Sequence, residues 1–571
     1  MHARLQGKFL GIAILTWATA APALAQSEPA ALQRAFERID AYVAQSMQER
    51  RTPGLALALT SREKLLRVST YGFADAKARL PVTPETLFEI GSISKSFTAI
   101  ALLQLREAGK FDPLAPVTKY LPWFQIQSQF EPITSHHLLS HTAGIPRDRD
   151  DIPASMMMPA ALRERSTGYA PGKKFSYSNI GYQTLSYLLE ELSGTPYRDV
   201  IHKNIFEPVG MKSSEPIIRH ATRTRLAVGY EMLYDDRPAH RSHPLVEATW
   251  LEHDVGDGSI AATPADLAAY LRMLLNHGAA GDKQVISEES FQLLIQPAIK
   301  SGEKEFYGYG MGTSEEDGHK IISHGGGMVG YSSMLRGDLD AGLGVIVFVN
   351  GPGSPGGVAE FALKCIRAAM ENKELPALPP PSDSKKIPNA AEYAGIYPGA
   401  YGKRLVLTAE GESLWLTWAG AKIQLERRGK DQFFVPHPDF ELFLLRFERE
   451  KPATGEKEGK VSYAIHGGEW FANHLYSGGR NFEFPRAWLA FAGHYRSHSP
   501  WLSNFRIVNV RGKLWLMLPG GGQQALIPTP DGSFQVGEEE TAERISFETV
   551  VNGKALRAVL SGWEFYRSAA P

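Results

Sequence analysis

Apolar residues along positions 31–49 recur at helical spacing. Leu32, Phe36, Ile39, Tyr42, Val43 and Met47 share one stripe, and the segment reads as an amphipathic helix. Two β-prone runs follow at 55–60 and 65–70, around the polar turn Ser61-Arg62-Glu63-Lys64, and predict a hairpin. From Ser92 to about Ala108 the pattern is helical again, with Gly109 as its stop. Thr263-Pro264-Ala265-Asp266 predicts another helix start. Thr263 can cap, Pro264 suits the first turn and Asp266 suits the positive helix end. Leu267, Tyr270, Leu271 and Leu274 carry its apolar face onward. Positions 343–350 read as a buried strand and 358–371 as a further helix.

The pattern then changes. Residues 371–387 are rich in Pro, Ser and charge and read as a linker. Beyond them short alternating runs are separated by Gly-rich turns, and the region repeats itself. Tyr393-Ala394-Gly395-Ile396-Tyr397 returns as Phe491-Ala492-Gly493-His494-Tyr495. Leu405 and Leu407 return as Phe505 and Ile507, and Leu414-Trp415-Leu416 returns as Leu514-Trp515-Leu516. Two related antiparallel β modules, 388–484 and 485–571, are expected, each of a size for a small barrel. Their aromatics either fill the barrels or form a binding face.

Composition narrows the function classes. The chain has 571 residues, with 61 Lys+Arg against 62 Asp+Glu and a net charge of −1. Such balance argues against nucleic acid as a partner held by a basic face. A hydrophobic content of 43% supports packed cores over disorder. The single cysteine, Cys365, excludes an intrachain disulfide and a Cys-based zinc site, and its helical spacing in FALKCIRAAM reads as a small buried residue. Residues 1–25 predict a secretory signal: Arg4 and Lys8, an apolar run over 9–18, then Ala23-Leu24-Ala25. The run falls short of the ~20 residues of a membrane span, so cleavage after Ala25 and a periplasmic or secreted location are expected, without a membrane anchor.

Several hydrolase signatures are missing, including Gly-x-Ser-x-Gly and His-Glu-x-x-His. The pairs His137/His141 and His240/His243 have no companion ligands nearby and read as structural, so neither metal nor cofactor is expected. Ser-x-x-Lys is more informative. Of its four copies only Ser92/Lys95 opens an apolar helix, which places both side chains on one face with the hydroxyl at the positive helix end. A lysine buried there loses solvation and becomes able to accept a proton. Taken alone, a capping Ser92 with a solvated Lys95 is an equal reading. Tyr177-Ser178-Asn179 is the sole Tyr-x-Asn, in a loop entering an apolar helix. Its phenol can relay a proton and its amide can hold a carbonyl or the lysine, or it is a core tyrosine followed by an Asn cap. In Ser323-His324-Gly325-Gly326-Gly327 the glycines allow backbone N–H groups to approach a reacting carbonyl, although a lone box of this kind reads as a flexible turn.

The three boxes occur in order, together with Leu138-Leu139-Ser140-His141-Thr142-Ala143-Gly144 and Tyr307-Gly308-Tyr309-Gly310. The chain thereby resembles the penicillin-recognising serine hydrolases: class C-type β-lactamases, D-alanyl-D-alanine carboxypeptidases, related esterases and D-aminopeptidases. The resemblance runs through about 30–370. It implies an α/β catalytic domain over 26–370, with an antiparallel sheet flanked by helices and a helical subdomain. It implies Ser92 as acyl-enzyme nucleophile, and Lys95 as base with Tyr177 assisting and handling the leaving-group proton. Asn179 would orient Lys95 or substrate, and the N–H groups of Ser92 and Gly327 would form the oxyanion hole. His324 stands where β-lactamases carry the lysine of Lys-Thr-Gly, and here the box is His324-Gly325-Gly326. The group that grips a β-lactam carboxylate is therefore altered. His-x-Gly and the paired β modules resemble D-aminopeptidases, and related enzymes open small nonribosomal peptides such as linearised microcystin. The expected partner is a small peptide or ester substrate. A carboxylesterase, or a silent binder of peptides, cell-wall fragments or β-lactams, are the alternatives, and oligomeric state stays open.

Overall fold

The computed structural model describes residues 30–147, 157–452 and 457–569. The predicted signal segment, residues 1–25, lies outside the described residues. Among the described residues no helix is long and apolar enough to cross a membrane.

A nine-stranded antiparallel sheet carries the catalytic part. Its strands lie in the spatial order Ile299–Lys300, Glu305–Tyr307, Gly312–Glu316, His319–Met328, Tyr331–Asp338, Leu343–Val349, Gly54–Ser61, Leu65–Asp75 and Leu80–Pro81. The central strands Gly54–Ser61 and Leu343–Val349 are buried at every position. Helices Ala30–Arg50 and Pro355–Met370 cover one face, and Pro264–Leu275 covers the other. Two covered faces explain why these strands read as nearly unbroken apolar runs. Thr263 caps the last of these helices, its Oγ1 accepting from the Asp266 N–H at 3.3 Å. A helical layer containing Ser94–Glu107, Asn179–Ser193 and Tyr197–Ile201 packs beside the sheet. The linker is strapped down along the first helix. Arg38 donates to the Pro376 carbonyl at 2.9 Å and the Ser382 N–H donates to Glu49 at 3.0 Å.

The repeat is visible in the register of both β modules. Tyr397 lies opposite Leu405 and Gly395 opposite Leu407; Tyr495 lies opposite Phe505 and Gly493 opposite Ile507. Leu407 then pairs with Leu416, as Ile507 pairs with Leu516. Each tyrosine is fully buried and donates to the carbonyl four residues back, Tyr397 to Tyr393 at 3.0 Å and Tyr495 to Phe491 at 2.8 Å. Closure differs between the copies. The second module is an eight-stranded closed barrel, sealed by pairing Gly493–Arg496 with Trp563–Arg567. The first is two sheets of four and five strands over one core. At its seam the chain leaves one sheet after Ala421–Gln424 and enters the other at Glu426–Gly429, and the buried Glu426 turns away to meet His240 at 3.2 Å. Tyrosine and phenylalanine fill the two cores, whereas Trp415 and Trp515 remain half-buried.

Both modules grip one loop of the catalytic domain. Arg496 and Arg506 of the second pair with Asp235 and Asp236, while Glu441 and Glu426 of the first pair with Arg237 and His240. The second module also reaches the segment that leads to Tyr177. Glu540 and Glu539 pair with Lys173 and Lys174, and Glu543 accepts from the Arg147 N–H at 2.6 Å. Gly168 is needed there, because a Cβ would lie 2.2 Å from the Ala542 nitrogen.

Candidate active site

Ser92 lies in a short 3-10 turn, Gly91–Ile93, that feeds helix Ser94–Glu107. Gly91 has φ +51° and backs directly onto Gly327, whose nitrogen and oxygen would be 2.7 and 2.6 Å from an added Cβ. Only glycine meets both demands. The Gly-rich box occupies a strand, His319–Met328, where a flexible turn was one expectation. Ser323–Gly327 pairs in register with Ser332–Arg336. Glycines weaken a strand in isolation, but Gly326 permits an approach no other residue could make. An added Cβ would lie 1.8 Å from the Ile90 carbonyl and 2.3 Å from Ser333 Oγ. Gly327 differs, with nothing within 4 Å of its would-be Cβ, so it faces open space. The turn that carries Ser92 and the box strand are thus pressed together at backbone distance.

Lys95 lies on the first turn of that helix and is fully buried. Its ammonium donates to Ser92 Oγ at 3.1 Å, to Asn179 Oδ1 at 2.6 Å and to the Asp257 carbonyl at 2.7 Å. It lies 4.9 Å from the centre of the Tyr177 ring and 5.6 Å from that of Tyr182. Asn179 is the first residue of helix Asn179–Ser193, and the cap is Ser178, whose hydroxyl accepts from the Gly181 N–H at 3.4 Å. This leaves the Asn179 amide available to the lysine. Ser92, Lys95, Tyr177 and Asn179 therefore meet, with Gly327 against the turn that holds Ser92.

The arrangement directs a lone pair. Ammonium has three hydrogens and three acceptors here. Two of these, the Asn179 amide oxygen and the Asp257 carbonyl, can only accept. An amine that gives up one proton keeps its remaining hydrogens on those two oxygens and points its lone pair at the Ser92 hydroxyl. That is the geometry of a general base poised on a nucleophile.

His324 behaves differently from a substrate-gripping cation. Its imidazole is buried, meets Tyr307 Oη at 2.8 Å and its neighbour's carbonyl, Gly325 O, at 2.6 Å. Burial and the Lys95 charge push its pKa down to about 4 from 6.5. At neutral pH it is uncharged and offers no counter-ion to a carboxylate.

His141, Asp257 and His253 border the site. His141 lies within 4.2–5.1 Å of the rings of Tyr177, Tyr182 and Tyr307, and its Nδ1 accepts from the Ser178 N–H at 3.1 Å, between Tyr177 and Asn179. Burial, then the Lys95 charge, hold it well below the ordinary histidine range. Asp257 is 3% exposed, and its carboxylate meets His253 Nε2 at 3.0 Å. Burial alone would raise this carboxyl; His253 and Lys95 outweigh it and hold it below its usual value. Neither Asp257 nor His253 was singled out from sequence. The signal was Gly256-Asp257-Gly258, since a Cβ on Gly256 would lie 2.5 Å from Thr98 Oγ1. The other histidine candidates are engaged locally: His137 with Thr134 at 3.1 Å, and His240 stacked on Phe434 at 4.5 Å.

The family model described as Beta-lactamase matches residues 39–364. The chain belongs to the beta-lactamase family. Penicillin-binding protein 4* of Bacillus subtilis (strain 168) is 28% identical over 427 residues, covering 69% of this chain and 91% of that protein. A solved structure, the octameric penicillin-binding protein homologue from Pyrococcus abyssi, is similar with a TM-score of 0.55 and 25% identity, covering 76% of this chain and 99% of that one. Members of the beta-lactamase family are serine hydrolases, and a Ser92–Lys95 pair at hydrogen-bond distance lies at the start of the matched domain's first buried helix.

Proposed function

We propose that this chain is a secreted serine hydrolase that cleaves an amide bond in small peptides, in the manner of a D-aminopeptidase, through an acyl-enzyme on Ser92. The observation that carries the reading is the threefold bonding of Lys95: the Asn179 and Asp257 oxygens hold two of its hydrogens, so a neutral amine there would turn its lone pair to Ser92 Oγ. In this reading Oγ attacks the substrate carbonyl carbon as its proton passes to Lys95. The backbone N–H groups of Ser92 and Gly327 receive the developing oxyanion. Tyr177, beside Lys95, conducts the proton onward to the departing amine. Water then enters by the reverse proton route, hydrolyses the ester and frees Ser92. The neutral, internally bonded His324 favours substrates that need no cation at that position, and so favours peptides over β-lactams.

Two measurements test the reading. A fluorophosphonate probe should label wild-type protein at Ser92, and absence of an adduct would overturn it in favour of a silent binder. Rates on amino-acid p-nitroanilides of both hands, against p-nitrophenyl esters, should favour the amide; turnover of esters alone would make the chain a carboxylesterase. The secreted destination is tested by N-terminal sequencing of the exported protein, expected to start at Gln26.

A further inference from the structure

Ser92, Lys95, Asn179 and Gly327 each lie in a helix, turn or strand, whereas Tyr177 lies in the irregular stretch 175–178 ahead of helix Asn179–Ser193. A phenol on such a loop needs other groups to fix it. Two hydrogen bonds hold the backbone on either side of it, and both end on one residue. The Ser176 N–H donates to the His141 carbonyl at 2.8 Å, and the Ser178 N–H donates to His141 Nδ1 at 3.1 Å. The imidazole also lies against the phenol itself, with ring centres 4.2 Å apart and planes tilted by 35°. The rings of Tyr307, Tyr182 and Phe175 surround the imidazole at 5.0, 5.1 and 5.7 Å.

His141 makes these contacts from an unfavourable backbone. Its φ is +57°, a conformation that glycine adopts freely and most side chains resist. Strain kept at such a position points to a use for the side chain. The bonding of the ring shows the use. An Nδ1 that accepts leaves the proton of the neutral imidazole on Nε2. Among the described residues Nε2 has no hydrogen-bond partner, so the ring neither bonds Ser92 Oγ nor relays a proton from Lys95. Burial, the Lys95 ammonium and His324 hold the imidazole well below the ordinary histidine range, which keeps Nδ1 an acceptor. A proton on Nδ1 would face the Ser178 N–H, donor against donor. The ring's hydrogen bonding thus serves the tyrosine loop and not the nucleophile.

We propose that His141 is a positioning residue for Tyr177: its carbonyl and its imidazole clamp the peptide on both sides of the tyrosine, and the imidazole face sets the phenol beside Lys95. The inference rests on the proposed role of Tyr177 in passing a proton to the leaving group.

The test compares His141→Gly and His141→Asn with wild type in the full chain, each rate divided by the fraction of protein that a fluorophosphonate labels to completion at Ser92. Glycine and asparagine both tolerate a positive φ, so neither variant adds backbone strain, and the division removes protein that fails to fold. A p-nitroanilide leaving group departs with a proton, whereas p-nitrophenolate departs without one. His141→Gly should therefore lower kcat/KM by about tenfold or more on amino-acid p-nitroanilides and by less than about threefold on p-nitrophenyl esters. A merely structural role would lower both alike. His141→Asn, whose amide oxygen can stand in for Nδ1, should recover most of the difference. Added to Tyr177→Phe, His141→Gly should bring no further selective loss. Equal losses on both substrates, no loss on either, or the same selective loss added to Tyr177→Phe would overturn the inference and leave the serine mechanism standing. If Tyr177→Phe itself spares the anilide, the proton-passing role of Tyr177 falls and that of His141 falls with it. A chain that hydrolyses esters alone is tested on ethyl against p-nitrophenyl esters, because ethoxide also needs a proton; the same pattern is expected, and equal losses would overturn the inference. Turnover of none of these substrates would overturn both readings.

Discussion

The reaction centre and the seam with the second β module both depend on lysines, and they use them in opposite ways. Lys95 is fully buried with three short hydrogen bonds. Lys173 and Lys174 have side chains 53% and 30% exposed and pair with glutamates of similar or greater exposure. Exposed pairs gain little, because water solvates either partner once the pair opens and salt screens the attraction. A buried charge has no such substitute, so removing one of its partners leaves a group without solvation. The comparison teaches that contact distance alone does not rank these lysines; access to water does.

The largest effect expected is at the nucleophile. Ser92→Ala should lower kcat by about 10⁴-fold or more, the scale on which serine hydrolases lose activity without their nucleophile, while thermal stability stays within about 1 kcal/mol. Retention of most activity would remove Ser92 from the mechanism. Next comes the scaffold behind the lysine. His253→Ala should cut kcat by roughly 10–100-fold with a smaller change in KM, because Asp257 loses the contact that fixes its carbonyl on Lys95. His253→Gln, which can still donate to the carboxylate, should recover part of the loss, and a drop confined to KM would argue that the pair acts on substrate.

A third effect concerns stability. Glu89 is buried just before the nucleophile turn, and one of its oxygens has no hydrogen-bond partner. Burial raises its pKa from 4.5 to about 8, against a smaller opposing pull from His253. The folded state therefore keeps a proton that the unfolded chain releases from pH 4.5 upward. Stability is lost progressively as pH rises between those two values, and the full penalty applies above about pH 8. Glu89→Gln should raise the melting temperature at alkaline pH by the equivalent of a few kcal/mol at most, with the difference shrinking toward pH 4.5. A pH-independent difference would show that Glu89 does not titrate in this range. The smallest effect belongs to the seam. Lys173→Glu with Lys174→Glu should cost below ~1 kcal/mol per pair and fade in high salt. A salt-resistant stability loss of several kcal/mol would show that these exposed pairs behave as a buried one does.

Legibility from sequence followed the same divide between local and distant causes. The caps and stops were readable because they act within one turn: Thr263 caps, and Gly109 turns with φ +68°. Ser-x-x-Lys was readable because helical spacing alone puts Ser92 and Lys95 together. The repeat was readable because both copies keep the same inward positions. The need for glycine at 326 was hidden, since Ile90, whose carbonyl a Cβ would strike, lies far away in the chain. Asp257 was hidden because it acts through its backbone carbonyl, which every residue has. The open form of the first module was hidden because its repeat landmarks match those of the closed one, and the missing pairing of its first and last strands lies outside them.

The loop at 235–240 has a mechanical consequence. Asp235 and Asp236 hold the later copy, while Arg237 and His240 hold the earlier. Two tail units that share a single socket cannot swing independently. The later unit is held again at Lys173, Lys174 and Arg147, so strain on either unit reaches the same few peptide bonds and, from the later one, the approach to Tyr177 as well.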